Sequence, residues 1–175
     1  MQVKKIEKDV ARKMWVLEGS CANILNENYF INKIEQDLKV SNNSFKTHAS
    51  GYMTKWNLFC DDIQFIKIIE NCRPMFEQMP EYWDFYCNDA WGLKYDKKIH
   101  KTKYHNHDSV TGFVGILYLG NNGPGTYIND LNYTIKEERG KVAFFHKNLF
   151  HQTLDFNFTS PRYIIPFNFN RKKEF

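Results

Sequence analysis

Three runs decide how this sequence folds: Gly112-Phe113-Val114-Gly115-Ile116-Leu117-Tyr118-Leu119-Gly120, Gly140-Lys141-Val142-Ala143-Phe144-Phe145, and Arg162-Tyr163-Ile164-Ile165-Pro166-Phe167-Asn168-Phe169. Each is short, rich in β-branched and aromatic residues, and bounded by Gly, Asn, Asp or Lys. That composition fits a pleated, buried surface better than a helix. Working outward, further runs of the same kind lie at Trp83–Tyr95, Lys103–His107, Thr126–Ile128, Tyr133–Ile135 and Gln152–Phe156. Short strands in series with turn signals between them point to a sandwich, barrel or jelly roll.

Before residue 82 the pattern differs. Lys13–Leu17 reads as a short strand. Asn26 or Asn28 can cap a helix running to about Leu38, with Phe30, Ile31, Ile34 and Leu38 at helical spacing. Asn42 to Ser50 is polar and loop-like. Asp61 or Asp62 can cap a second helix towards Gln78, with Phe65, Ile66, Ile69, Met75 and Phe76 as its apolar stripe. Pro74 kinks it or ends it early, and Pro80 is the latest stop. The expected fold class is α+β with a mainly β core. One domain is expected over residues 1–175, with a helix-rich support at 1–81 and a jelly-roll core at 82–175, since no linker-like segment divides it.

Composition narrows the function classes. Hydrophobic residues make up 42% and aromatics 17% of the 175 residues, which excludes a disordered chain. A net charge of +4 is too mild and unclustered for a dedicated nucleic-acid binder. The charged start, Met1-Gln2-Val3-Lys4-Lys5-Ile6-Glu7-Lys8-Asp9, has no signal-peptide pattern, and no apolar run approaches a membrane span. A cytoplasmic location is therefore expected. Cys21, Cys60, Cys72 and Cys87 are widely spaced and read as reduced, mostly buried thiols. The Lys-, Asn- and Phe-rich composition points to an AT-rich genome, such as that of a phage, in which case the location is the host cytoplasm.

The chemistry concentrates in the C-terminal half. His105 and His107 stand two apart in Tyr104-His105-Asn106-His107-Asp108, so on a strand both point to one face. A third ligand from another strand, such as His151, would complete a facial site with open positions; two His and a carboxylate in that arrangement is the geometry associated with non-haem iron oxygenases. Taken alone, His-x-His is a weak signal and often marks surface histidines. His48, His100 and His146 have no such spacing and read as surface or loop residues. The lysines at 94, 97, 98, 101 and 103 read either as a solvated turn or as a positive rim that draws in anions. Arg162 opens a run that reads as a strand buried on both faces, where a charge needs a partner, and a dicarboxylate ligand would supply one.

The order His-x-His, an apolar strand ending Tyr118-Leu119, a glycine turn, Gly140-Lys141-Val142-Ala143-Phe144-Phe145, His151 and Arg162 resembles the Fe(II)/2-oxoglutarate dioxygenase superfamily. The nearer likeness is to its small phage and bacterial members with a prolyl-hydroxylase-like layout, over about residues 91–170. The resemblance implies a double-stranded β-helix with N-terminal supporting helices, and an Fe(II)- and 2-oxoglutarate-dependent hydroxylase consuming O2. It makes His105 and His151 iron ligands and pairs Arg162 with the far carboxylate of 2-oxoglutarate. Tyr95 and Tyr118 become further co-substrate contacts. Position 107 departs from the pattern, because the family's usual Asp or Glu is here a histidine. Either His107 ligates, giving three histidines, or Asp108 swings in as the carboxylate through a bulge. Two rivals stand beside this reading: a cupin-type three-histidine dioxygenase that does not use 2-oxoglutarate, and a non-catalytic jelly-roll binding or virion-associated module. The substrate is unspecified (protein side chain, amino acid, nucleobase or metabolite), its recognition expected in loops such as Asn42–Trp56 and Asn121–Thr126.

Overall fold

The structure is a computed structural model that describes residues 3–8, 14–41, 50–79, 84–96, 102–156 and 159–172. The expectations for residues 42–49, Pro80, the start of the Trp83–Tyr95 run, His48, His100, Lys97, Lys98 and Lys101 lie outside the described residues. In chain order the elements are β1 (Lys4–Lys8), β2 (Met14–Ser20), α1 (Glu27–Ser41), β3 (Tyr52–Met53), α2 (Ile63–Asn71) and α3 (Arg73–Phe76). Then come β4 (Phe85–Ala90), β5 (Leu93–Tyr95), β6 (Phe113–Tyr118), β7 (Thr126–Ile128), β8 (Tyr133–Ile135), β9 (Lys141–His146), β10 (His151–Gln152) and β11 (Arg162–Arg171).

The strands form two antiparallel sheets. The larger has the order β1-β2-β9-β6-β11-β5-β3, with β4 also pairing β11; the smaller is β10-β7-β8. After β6 the chain crosses to β7 and β8, returns for β9, crosses again for β10 and returns for β11. That back-and-forth winding is a jelly roll, and its sheets do not close into a barrel.

The period of two in the sequence sorts side chains onto the two faces of the larger sheet. Leu17, Phe113, Leu117, Val142, Phe144, Ile165, Phe167 and Phe169 join one core with Phe30 and Ile34 of α1, Phe65 and Ile68 of α2, and Met75 and Phe76 of α3. Val16, Val114, Ile116, Tyr118, Ala143, Phe145 and Ile164 face the other way, into a second core with Ile128 of β7 and Ile135 of β8. Runs such as Gly112–Gly120 are continuously apolar because both faces are covered. The helices therefore support the sheet from behind, and the second core is where a site between the sheets can form.

Local signals at the helix starts hold. The Asn26 side chain accepts a hydrogen bond from the Tyr29 N–H at 3.2 Å, so Asn26 rather than Asn28 caps α1. Asp62 caps α2, accepting from the N–H groups of Gln64 and Phe65 at 2.9 and 3.0 Å. The second expected helix is broken at Cys72 into α2 and α3, with Pro74 in the first turn of α3, where its missing N–H costs nothing. Its stripe is also corrected. Ile68, three residues after Phe65, is buried, whereas Ile66 is exposed.

Several strands differ from expectation. β1 and the two-residue β3 exist because β2 and β5 offer them free edges, not because of local pattern. The run at 84–95 is two strands separated by Trp91 and Gly92. A Cβ on Gly92 would strike the Ile34 side chain of α1, so the chain passes here only without one. Lys103–His107 makes a single bridge, His105 with His151, and 153–156 carries no strand.

The four cysteines are free, but their sulfurs meet in two pairs. Cys21 and Cys72 lie 3.6 Å apart and Cys60 and Cys87 lie 3.5 Å apart, which spacing along the chain did not reveal. Mild oxidation with diamide is expected to yield these two linkages and no crossed ones. Peptide mapping without reduction checks this, and a Cys21–Cys60 link would contradict the two sulfur contacts.

Candidate metal centre

His151 opens β10, and its backbone exchanges both hydrogen bonds with His105: His105 N–H donates at 3.2 Å and His151 N–H returns at 2.9 Å. This bridge sets the two imidazoles side by side, with ring centroids 4.3 Å apart. His107, two residues on, brings its ring to 5.1 Å from His105 and 5.2 Å from His151. Each histidine offers one nitrogen, and the three lie within 4.8 Å of one another. Asp108 is not in this group. Its carbonyl instead accepts from the Lys147 ammonium at 3.2 Å.

Two of the tautomers are set by the backbone. The Nδ1 of His105 lies 2.7 Å from the Lys103 carbonyl, and that of His151 lies 3.0 Å from the Leu149 carbonyl. A carbonyl can only accept, so Nδ1 carries the proton and Nε2 keeps its lone pair. Burial, reinforced by repulsion from His105 and His107, holds the His151 pKa well below 6.5. The imidazole is therefore neutral at neutral pH, as a metal ligand must be. A neutral three-nitrogen set of this kind suits a divalent transition metal.

The three histidines line a cavity between the sheets, together with Trp91, Tyr95, Thr102, Thr126 and Asn168. Two side chains in its wall keep a buried polar atom without a protein partner, the indole N–H of Trp91 and the amide oxygen of Asn168. Asn168 is anchored by donating its other amide atom to the Asp89 carboxylate at 3.1 Å. Neither residue stands out in the sequence, because a Trp and an Asn in an apolar strand read as core and edge.

Arg162 begins β11 and shares its phase with Ile164 and Asn168, which face the cavity. Its side chain is completely buried and lies behind the cavity wall, with the guanidinium 4.9 Å from the Tyr95 ring centre and 6.0 Å from that of Tyr118. Those two tyrosines are buried as well. Tyr118 donates to the Thr126 hydroxyl at 2.7 Å, and Tyr95 shares a hydrogen bond of 2.7 Å with Thr102. The partner Arg162 needs is within the chain: Nε pairs with the Glu137 carboxylate at 2.6 Å, both side chains fully buried. The partner that a buried charge requires is thus already supplied by the chain, beside any that a ligand would add. Nη1 nevertheless has no partner, and neither has the second carboxylate oxygen of Glu137. Burial alone would lower the Arg162 pKa, but Glu137, Tyr95 and Tyr118 outweigh it and raise it. For Glu137 burial wins, and its pKa is raised despite Arg162.

Glu137 was missed in the sequence because it stands in Lys136-Glu137-Glu138-Arg139, which looks like a solvated charged turn. The one available signal is that it keeps the phase of buried Ile135. Of the lysines near the site, Lys94 pairs with Glu35 at 2.6 Å behind the sheet, while Lys103 is exposed. His146, expected at the surface, is half-buried at the end of β9 and makes an edge contact with Trp15.

No protein-family model matches the chain, and no curated protein matches it in sequence. Solved structures do match it in shape. A viral collagen prolyl hydroxylase from Paramecium bursaria chlorella virus 1, in complex with 2-oxoglutarate, is 16% identical with a TM-score of 0.63, over 87% of this chain and 94% of that one. A prolyl-4-hydroxylase from Pseudomonas putida is 13% identical with a TM-score of 0.59, over 89% and 93%. HygX from Streptomyces hygroscopicus, with nickel and 2-oxoglutarate bound, is 12% identical with a TM-score of 0.62, over 90% and 82%. With a histidine triad between two sheets wound as described, the chain has the jelly-roll fold of the Fe(II)/2-oxoglutarate oxygenases.

Proposed function

We propose that this chain is a non-haem iron oxygenase that uses 2-oxoglutarate and O2, acting as one domain. The observation that carries the reading is the convergence of His105, His107 and His151 on one cavity, each with a ligand nitrogen within 4.8 Å of the others. The fold shared with enzymes solved with 2-oxoglutarate supports it.

In this reading His105, His107 and His151 hold the metal through neutral imidazoles. Asp108 is left out as a ligand. Arg162 receives the far carboxylate of 2-oxoglutarate, since a guanidinium stays charged and presents several donors in fixed directions. The orphaned Nη1 is the donor that fits this role. Tyr95 and Tyr118 flank the guanidinium and keep water from it. When bound, iron and 2-oxoglutarate together supply the oxidising chemistry that hydroxylates an unactivated C–H bond, with release of succinate and CO2. The chain's own part is to orient the co-substrate and to enclose the reaction in apolar walls from Val114, Ile116, Phe145 and Ile164. Trp91 and Asn168 offer one donor and one acceptor to the substrate.

Anaerobic addition of 2-oxoglutarate to the Fe(II)-loaded protein is expected to produce a weak visible charge-transfer band, and turnover to release succinate. The pairing of Arg162 with Glu137 favours one rival, a three-histidine dioxygenase without 2-oxoglutarate. In that case iron still binds, but neither band nor succinate is seen. Among the described residues no helix is long and apolar enough to cross a membrane.

A further inference from the structure

A buried ion pair is expected to use all its polar atoms, because an unpaired one in a dry interior costs free energy. The Arg162–Glu137 pair does not. Each partner contributes one bond at Nε and Oε2, and each keeps one buried atom without a partner, Nη1 on the arginine and Oε1 on the glutamate. The remaining contact is weak, Nη2 to the Gly125 carbonyl at 3.5 Å. The packing holds this arrangement in place. A Cβ on Gly123 would strike both Nε and Oε2, and Gly125 has φ +78° beneath the Ile135 carbonyl.

The two orphans have complementary needs. Nη1 is a donor and requires an acceptor. Oε1 is an acceptor while Glu137 is ionised, and becomes a donor if it takes a proton. A carboxylate brought to Nη1 satisfies the donor, and a proton taken up on Glu137 turns Oε1 from an unmet acceptor into a donor. Charge leads to the same result. The pair is neutral, and a carboxylate arriving at it would leave a net negative charge in a dry site unless a proton came too.

Building on the oxygenase reading, we propose that Glu137 is a positioning residue that holds Arg162 by Nε, reserves Nη1 for the carboxylate of 2-oxoglutarate, and takes up one proton from solvent when that carboxylate binds. The one covalent change is a proton transfer: the bond to hydrogen in a buffer acid breaks, an O–H bond forms at Oε1, and the conjugate base stays in solution. The charged and titratable neighbours of the pair are Tyr95 from β5 and Tyr118 from β6, with Glu18 of β2 acting on Tyr118. Burial raises the Tyr118 pKa, so that hydroxyl stays neutral, and the proton goes to Glu137, whose pKa burial also raises.

The test is calorimetric titration of the Mn(II)-loaded protein with 2-oxoglutarate in two buffers of different ionisation enthalpy, repeated from pH 7 to pH 9. The wild type is expected to take up about one proton per ligand, with Kd rising about tenfold per pH unit. Glu137→Gln, which keeps the shape and supplies an amide donor in place of the proton, is expected to bind without proton uptake and with a flat pH profile. Binding by the wild type without proton uptake overturns the role of Glu137 and leaves the oxygenase reading standing. Absence of any 2-oxoglutarate binding overturns both. If Glu137→Gln fails to fold, the proton count of the wild type alone decides.

Discussion

His151→Ala is expected to abolish turnover and to weaken Fe(II) or Mn(II) binding by more than about 100-fold. Loss of a group that merely orients a ligand already costs about 10- to 100-fold, and His151 is placed to be a ligand itself. It also holds the bridge to His105 in register, although that bridge runs through the backbone and should survive the substitution. The folded chain is therefore expected to persist without its metal affinity. Two measurements separate these effects: metal content after dialysis, and the rise in Tm on adding Mn(II), which should vanish in the variant because only a ligand that binds the native state stabilises it. An unchanged Mn(II)-dependent Tm rise would remove His151 from the ligand set. Asp108→Ala, by contrast, is expected to keep full metal content, since its side chain stands outside the cluster.

Arg162→Met is expected to produce the larger loss of stability, about 3–5 kcal/mol, because it leaves the Glu137 carboxylate uncompensated in a dry interior. Both side chains are fully buried, so solvent does little to screen the loss. The double variant Arg162→Met with Glu137→Leu is expected to recover most of it, since an apolar pair of similar volume needs no partners. Urea unfolding of the wild type, the single variants and the double variant closes the cycle. The deficit should also depend on pH. Without Arg162, burial keeps the folded-state Glu137 pKa above its unfolded value, so the folded state binds more protons and loses stability as pH rises through that window. Arg162→Met should therefore be less impaired near about pH 5 than near about pH 8. A small, pH-independent deficit would mean that the pair does not exist as described.

The two predictions draw on different kinds of information. What the sequence determined by itself was whatever depends on neighbours along the chain. The short β-branched and aromatic runs Gly112–Gly120 and Arg162–Phe169, bounded by turn residues, assigned strands buried on both faces, because such side chains fit a pleated surface. Asn26 or Asn28 and Asp61 or Asp62 marked the helix starts to within two residues, because a cap bonds residues two or three positions away. The two-residue spacing of His105 and His107 marked them as one candidate pair, although only His105 makes a β-bridge.

Tertiary structure alone decided what depends on register between distant strands. Whether His151 would meet His105 rested on one backbone bridge across the smaller sheet. Shifting that pairing by one residue would turn the imidazole outward. Glu137 gave no local sign of burial, since its charged neighbours belong to a turn and its partner lies 25 residues away. The pairs Cys21–Cys72 and Cys60–Cys87 and the edge strands β1 and β3 are of this kind too. Short-range preference cannot carry such contacts, because their free energy comes from burial and pairing that exist only once the sheets have been laid together.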